Sequence, residues 1–259
     1  MKSFSRMSYP YFIWMAVFIV IPMAMIVFYA FTVQGNNVTI VSFSLDNFVR
    51  FFSDPVFLKV LWTSLRIAFI TTVACVLLGY PCAYAISRLS EDKQTLMILL
   101  ITLPMWINML VRTYAWRGIL LHFDFATEFK IFVGMVYNFL PFMIIQIYNS
   151  LSKIDKNLIV AASDLGANPV KSFLKVTLPL SVPGIISGVT LVFLPAVSSF
   201  FIPKLLGGGE YVLIGNLIET YFITTGEWNF GSAISLIMAL VIILSMWLTK
   251  KLDRQYQED

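Results

Sequence analysis

The sequence predicts an all-α polytopic membrane protein: a single domain of six transmembrane helices with both termini on the cytoplasmic side. Three observations predict it. Of 259 residues, 59% are hydrophobic and 12% charged, with mean hydropathy +0.83, a balance that excludes a water-soluble domain. Six apolar runs, at about 9–31, 60–87, 94–113, 131–151, 179–204 and 230–249, are each long enough to cross a hydrocarbon layer of roughly 30 Å as a helix. With the termini inside, the inner segments hold eleven Lys and Arg (Lys2, Arg6, Arg88, Lys93, Lys153, Lys156, Lys171, Lys175, Lys250, Lys251, Arg254) against six outside (Arg50, Lys59, Arg112, Arg117, Lys130, Lys204). The net charge of +4 therefore reads as membrane orientation and not as a nucleic-acid surface.

The first run follows Lys2 and Arg6 as a signal peptide would, but it is too long and lacks a small-x-small cleavage site, so it reads as a retained span. The second run carries Arg66, a costly residue in lipid that must face a neighbour or water. Pro104 should kink the third run, and Pro195 and Pro203 the fifth. Gly184 and Gly188, four apart in the fifth run, permit close approach of another helix. The larger outer loops span 32–59 and 205–229, and the second contains Glu210, Glu219 and Glu227 without a Lys or Arg, a negative region on the outer face.

The inner loop 152–176 has a different character. Leu158 to Leu165 favours a helix, Gly166 breaks it, and Val170 to Lys175 resumes it, so the loop predicts two short helices joined by a glycine turn. Small Ala161 and Ala162 before that turn allow close approach of a partner groove. No Gly-x-x-x-x-Gly-Lys-Ser/Thr phosphate loop exists in the chain, so it cannot hold ATP by that means.

The stretch Ala161-Ala162-Ser163-Asp164-Leu165-Gly166-Ala167-Asn168-Pro169, followed by Phe173-Leu174-Lys175-Val176-Thr177-Leu178-Pro179-Leu180 and Pro183-Gly184-Ile185, resembles the EAA signature of ABC-importer permeases. The motif's leading Glu falls on Val160. The resemblance implies a type I importer permease fold and a coupling helix, loop 152–176, in which Ala161, Ala162, Asp164, Gly166 and Ala167 dock onto a cytoplasmic ATPase. Two further stretches, Leu110-Val111-Arg112-Thr113-Tyr114-Ala115-Trp116-Arg117 and Leu205-Leu206-Gly207-Gly208 with Leu213-Ile214-Gly215-Asn216, are similar to spermidine/putrescine permeases. That family implies a homologous second permease, two copies of an ABC ATPase that bind the ATP and Mg, an extracytoplasmic binding protein, and a place in the bacterial inner membrane. The second permease is also a candidate neighbour for the Gly184–Gly188 face. Permeases for thiamine or a metal chelate share the layout and remain the alternative substrate reading.

A polyamine leaving water needs carboxylates or aromatic faces to replace hydration. The candidate pathway residues are Trp106, Tyr114, Tyr137, Phe200 and Phe201, with Arg112 at the outer end of the third run as a candidate gate. No Asp or Glu falls inside a span, which leaves any buried carboxylate to the second permease. A membrane enzyme would want a nucleophile with a base, or a metal cluster, yet the single His122 lies in an outer loop. A secondary transporter would show an inverted repeat and an intramembrane ionisable site, and neither is present in the sequence.

Overall fold

The computed structural model describes residues 9–33, 42–209 and 211–255, and among them every regular element is helical. Helix α1 covers residues 9–30, with a π-helical turn at Ala16–Val20. It is followed by α2 (Asp46–Ser53), α3 (Pro55–Ser87), α4 (Glu91–Trp106), α5 (Met109–Leu120) and α6 (Thr127–Leu151). Then come α7 (Lys156–Asp164), α8 (Pro169–Val197), α9 (Phe201–Leu206), α10 (Ile214–Glu219) and α11 (Trp228–Gln255).

Helix starts are set by short polar side chains that satisfy otherwise unpaired N–H groups. Asp54 accepts from the Val56 amide at 2.8 Å with Pro55 in the first turn, so α3 starts ahead of its apolar run and reaches 33 residues. The fourth run likewise gains a polar first turn from Thr127, and the sixth begins at Trp228.

The third run is not one straight span. Pro104 stays inside α4, and the chain breaks just after it, where Ile107 and Asn108 are extended (ψ 135° and 131°). The Asn108 carboxamide accepts from the Leu110 amide at 2.8 Å and restarts the chain as α5, bent 90° from α4. The fifth run also departs from expectation. Pro195 lies within α8 and Pro203 is buried within α9, while the interruption falls between them, after Val197. Two prolines inside helices, Pro22 in α1 and Pro179 in α8, are instead absorbed by π turns: the amides of Ile21 and Leu178 reach back five residues to Ala16 and Phe173, and the prolines follow directly. The widened turn makes room for a residue that clashes with the carbonyl four back and has no N–H to give.

Four helices, α3, α6, α8 and α11, are each long and apolar enough to cross a bilayer, and α4 with α5 reaches that length only as a bent pair. Helix α6 is the centre of the bundle. Just over half of its apolar stretch (56%) is buried, against 33% for each of the other three. Ile67 and Cys75 of α3, Met135, Met143 and Ile147 of α6, and Val192 of α8 fill the space between them.

Gly184 and Gly188 are spent inside this chain and not on a second subunit. A Cβ on Gly184 would meet the Ser150 side chain at 2.4 Å, and one on Gly188 would meet Met143 Sδ at 2.4 Å, so both line the α8–α6 contact. Helix α1 joins the bundle at the end opposite the 152–168 hairpin. There Asn229 donates to the carbonyls of Tyr29 (3.1 Å) and Thr32 (2.8 Å), and Trp228 meets the Tyr29 ring edge-on.

Candidate functional site

The hairpin between α6 and α8 is built from three local devices. Asp155 accepts from the Asn157 amide at 2.9 Å and starts α7. After α7 the amides of Leu165, Gly166 and Ala167 close on the carbonyls of Ala161, Ser163 and Ala162. Gly166 sits at φ +82° with open space where a Cβ would be, so the turn needs glycine for its dihedral and not for room. Asn168 then accepts from the Lys171 amide at 2.8 Å and caps α8, with Pro169 in its first turn.

The expected second short helix is the beginning of a much longer one. From Pro169 the chain stays helical through the π turn at Phe173–Thr177 to Val197, 29 residues in all. The hairpin is therefore fastened to one end of a bundle helix, and a push on it is a push on that helix. Phe173 wedges edge-on between the rings of Tyr80 (5.8 Å) and Tyr84 (5.2 Å) on α3, and the Tyr80 hydroxyl shares a 2.8 Å hydrogen bond with Ser181 of α8. A cavity of about 470 Å³ separates α7 from the C-terminal ends of α3 and α6 and the start of α4, lined among others by Arg88, Gln94, Leu151 and Val160.

Of the five residues expected to dock, Ala161, Asp164 and Gly166 are exposed, and Ala162 and Ala167 are half-buried. Sequence reasoning passed over the most prominent one. Leu165, between Asp164 and the glycine turn, is 89% exposed, and Leu158, Val160 and Val170 are exposed beside it. A contiguous exposed apolar patch of this kind marks an interaction surface. The signal was present in the sequence as a leucine directly before a glycine turn in a polar loop. Val160, in place of the motif's Glu, adds to this apolar surface.

On the opposite side the structure brings together only some of the pathway candidates. Trp116 of α5 packs edge-on against Tyr137 of α6 at 5.2 Å, and the Arg112 guanidinium lies 6.0 Å from the same Tyr137 ring. Two nitrogens of Arg112, Nε and one Nη, are buried without an acceptor among the described residues. Phe200 and Phe201 form a separate pair at 4.1 Å where α8 gives way to α9. Trp106, at the end of α4, is 77% exposed, and Tyr114 on α5 is also exposed; neither joins the Arg112 cluster. Trp116, which is not among the candidate pathway residues, is the ring that meets Tyr137. Lone His122 closes the end of α5, its Nδ1 2.7 Å from the Gly118 carbonyl.

The expected negative region on the outer face is neutralised by residues from elsewhere. Glu227 pairs with Arg50 of α2 at 2.7 Å, and Glu219 pairs with Lys204 of α9 at 2.5 Å; Glu210 lies outside the described residues. Burial pushes the Tyr221 hydroxyl above its ordinary range against the opposing pull of Arg50, whose guanidinium carbon lies 5.7 Å from the ring centroid. Arg66 finds the neighbour expected of it, Glu128 in the first turn of α6.

The region around α9 and α10 is pinned to the bundle. The Ile214 amide donates to Ser64 of α3 at 2.8 Å, and Asn216 donates to the Phe200 carbonyl at 2.8 Å. A Cβ on Gly215 would collide with the carbonyls of Ser198 and Ser199, so glycine lets α10 lie directly on the break between α8 and α9.

This architecture has known counterparts. The fold matches the alginate-importing bacterial ABC transporter with a TM-score of 0.78 at 16% identity, covering 98% of this chain and 96% of that one. It matches the MetNI methionine ABC transporter with a TM-score of 0.61 at 15% identity, covering 77% and 95%. In sequence, the chain is 36% identical to the spermidine/putrescine transport system permease protein PotB of Haemophilus influenzae, over 95% of this chain and 94% of that protein. It is 34% identical to PotB of Escherichia coli, over 92% and 94%. The family model for the binding-protein-dependent transport system inner membrane component matches residues 1–258. An exposed hairpin fastened to a membrane bundle, and a match that runs nearly end to end, have one explanation: the chain belongs to the family of inner membrane components of binding-protein-dependent transport systems.

Proposed function

We propose that this chain is one of two homologous permease subunits of an ATP-driven importer of polyamines, spermidine or putrescine, in the bacterial inner membrane. The single observation that carries the coupling half of this reading is the apolar hairpin tip at Leu165, continuous through Pro169 with the bundle helix α8. The polyamine half is supported by the permeases it resembles over more than nine-tenths of their length.

In this reading α1 and the bent α4–α5 pair are the spans that complete six, and both termini are cytoplasmic. Two copies of an ATPase hold the ATP and Mg, and their closure moves a cleft that grips Ala161, Ala162, Asp164, Leu165, Gly166 and Ala167. The movement passes along α8 to its outer end at Phe200. There the Trp116–Tyr137 pair with Arg112 forms the outer constriction, and Trp106, Tyr114, Phe200 and Phe201 offer ring faces to a cation released by an extracytoplasmic binding protein. Each such face is worth about 0.5–2 kcal/mol to a desolvated ammonium. The second permease supplies the carboxylates that the spans of this chain lack.

The test is uptake of labelled spermidine and putrescine into cells that express this chain with its permease, ATPase and binding-protein partners, beside an ATPase-dead control. Energy-dependent uptake of either polyamine is the expected result. An assembled, ATP-hydrolysing complex that takes up neither would overturn the substrate.

A further inference from the structure

Between the middle of α8 and the C-terminal half of α11 runs a groove of about 600 Å³ that the transport reading leaves unused. Ile186 and Leu191 form one wall, Ile243, Met246 and Trp247 the other, and Lys250 stands one turn beyond Trp247 toward the C-terminus. Two of the three hydroxyls that line the groove are satisfied within their own helices: Thr190 donates to the Ile186 carbonyl at 3.0 Å and Thr249 to the Ser245 carbonyl at 3.1 Å, and Ser187 is the third. Its body is thus an apolar slot open to the side of the bundle, with Leu191, Ile243, Met246 and Trp247 all exposed. Its end is cationic, and the Lys251 ammonium lies 5.6 Å from the Trp247 ring beside it.

An apolar slot with lysines and an indole gathered at one end fits one kind of molecule, a lipid with a negative head group, because indoles and lysines both favour the zone where hydrocarbon meets water. We propose that the α8–α11 groove is a binding site for an anionic phospholipid of the inner leaflet. One acyl chain lies along Ile186, Leu191 and Ile243, and the phosphate sits against Lys250 and Lys251. The leaflet assignment rests on the topology proposed above, with the C-terminus inside; the groove itself does not depend on it. Because α8 also carries the coupling hairpin, a lipid wedged against it would sit on the helix that moves during transport.

The experiment is quenching of tryptophan fluorescence by brominated acyl chains in the reconstituted transporter, read as the difference between the native complex and one carrying Trp247→Phe. Brominated phosphatidylglycerol is compared with brominated phosphatidylcholine at equal mole fraction. A lysine at the membrane surface enriches an anionic lipid about fivefold, so the anionic quencher is expected to act at markedly lower mole fraction. Lys250→Gln with Lys251→Gln is expected to erase the preference while ATPase and permease still co-purify. Equal quenching by both lipids overturns the proposal, as does a preference that survives the double variant. Absence of quenching by either lipid also overturns it and assigns the groove to a protein surface. A cleavable C-terminal tag is scored separately in inside-out vesicles: protection there breaks the topology, whereas the quenching result judges the groove.

Discussion

Two interruptions of helix, one at each end of the bundle, use the same local chemistry to opposite effect. At Ile107–Asn108 and again at Gly166–Asn168, an asparagine carboxamide caps a restarted helix with a 2.8 Å hydrogen bond to a backbone amide. The outer restart, α5, turns through 90° and lies against α6 and α9, so that Trp116 and Arg112 find Tyr137 within the chain. The inner restart, α8, runs straight into the bundle and leaves α7 projecting, with Leu165 almost wholly uncovered. The first break packs Trp116 on Tyr137 within the chain while Trp106 and Tyr114 stay exposed; the second leaves its uncovered residues, Leu165 foremost, on one projecting turn.

The contrast is most severely tested at the inner turn. Gly166→Pro replaces a residue at φ +82° by one fixed near −65° and removes the N–H that donates to the Ser163 carbonyl at 2.9 Å. Uptake should be abolished while the chain still inserts in the membrane; normal uptake would remove the hairpin from the coupling role. Leu165→Ala comes next. If this leucine anchors the contact, its truncation costs about 2 kcal/mol, roughly a thirtyfold loss in ATPase affinity measured by co-purification or titration in detergent. The isolated chain should melt unchanged, because Leu165 touches almost nothing in it.

Gly184→Leu should show the reverse pattern. The added side chain collides with Ser150 and the Gln146 carbonyl of α6, and overpacking of this kind costs about 1–3 kcal/mol. The melting temperature of the isolated chain should fall; an unchanged value would mean that α8 and α6 do not touch there. At the outer break, Trp106→Ala and Tyr137→Ala should slow polyamine uptake several-fold, by about 0.5–2 kcal/mol per lost ring face, with assembly intact. Unaltered kinetics in either variant would take that ring out of the path. The smallest effect belongs to Glu227→Gln, whose exposed pair with Arg50 is worth about 0.2–1 kcal/mol, to be read as a slight melting shift that high salt erases.

Much of the inner region was legible because its signals are local. A polar cap, a small-residue pair, a glycine and a capped proline start all lie within one or two turns of each other. The outer region was not, for two reasons. The Asn108 cap competed with a hydrophobic pattern that ran straight through it, and the nearby Pro104 drew attention to the wrong peptide. The acidic loop after α9 was read without its partners: Arg50 lies 177 residues from Glu227, and Lys204, 15 residues from Glu219, falls just before the loop's first residue. Gly184 and Gly188 announced close packing correctly but could not name the helix that packs there.

By itself the sequence determined that the chain is a helical membrane protein, where most of its apolar helices lie, and that a glycine-turned hairpin separates the fourth and fifth runs. These follow from hydropathy and from backbone dihedral preferences, which act on a residue and its near neighbours. Only the tertiary structure decided the right-angle bend of α5, the assignment of the glycine face to α6, the neutralised outer loop, and the continuity of the hairpin with α8. Each of these depends on which side chains meet across the bundle, a matter of packing between segments far apart in the chain that no local preference encodes.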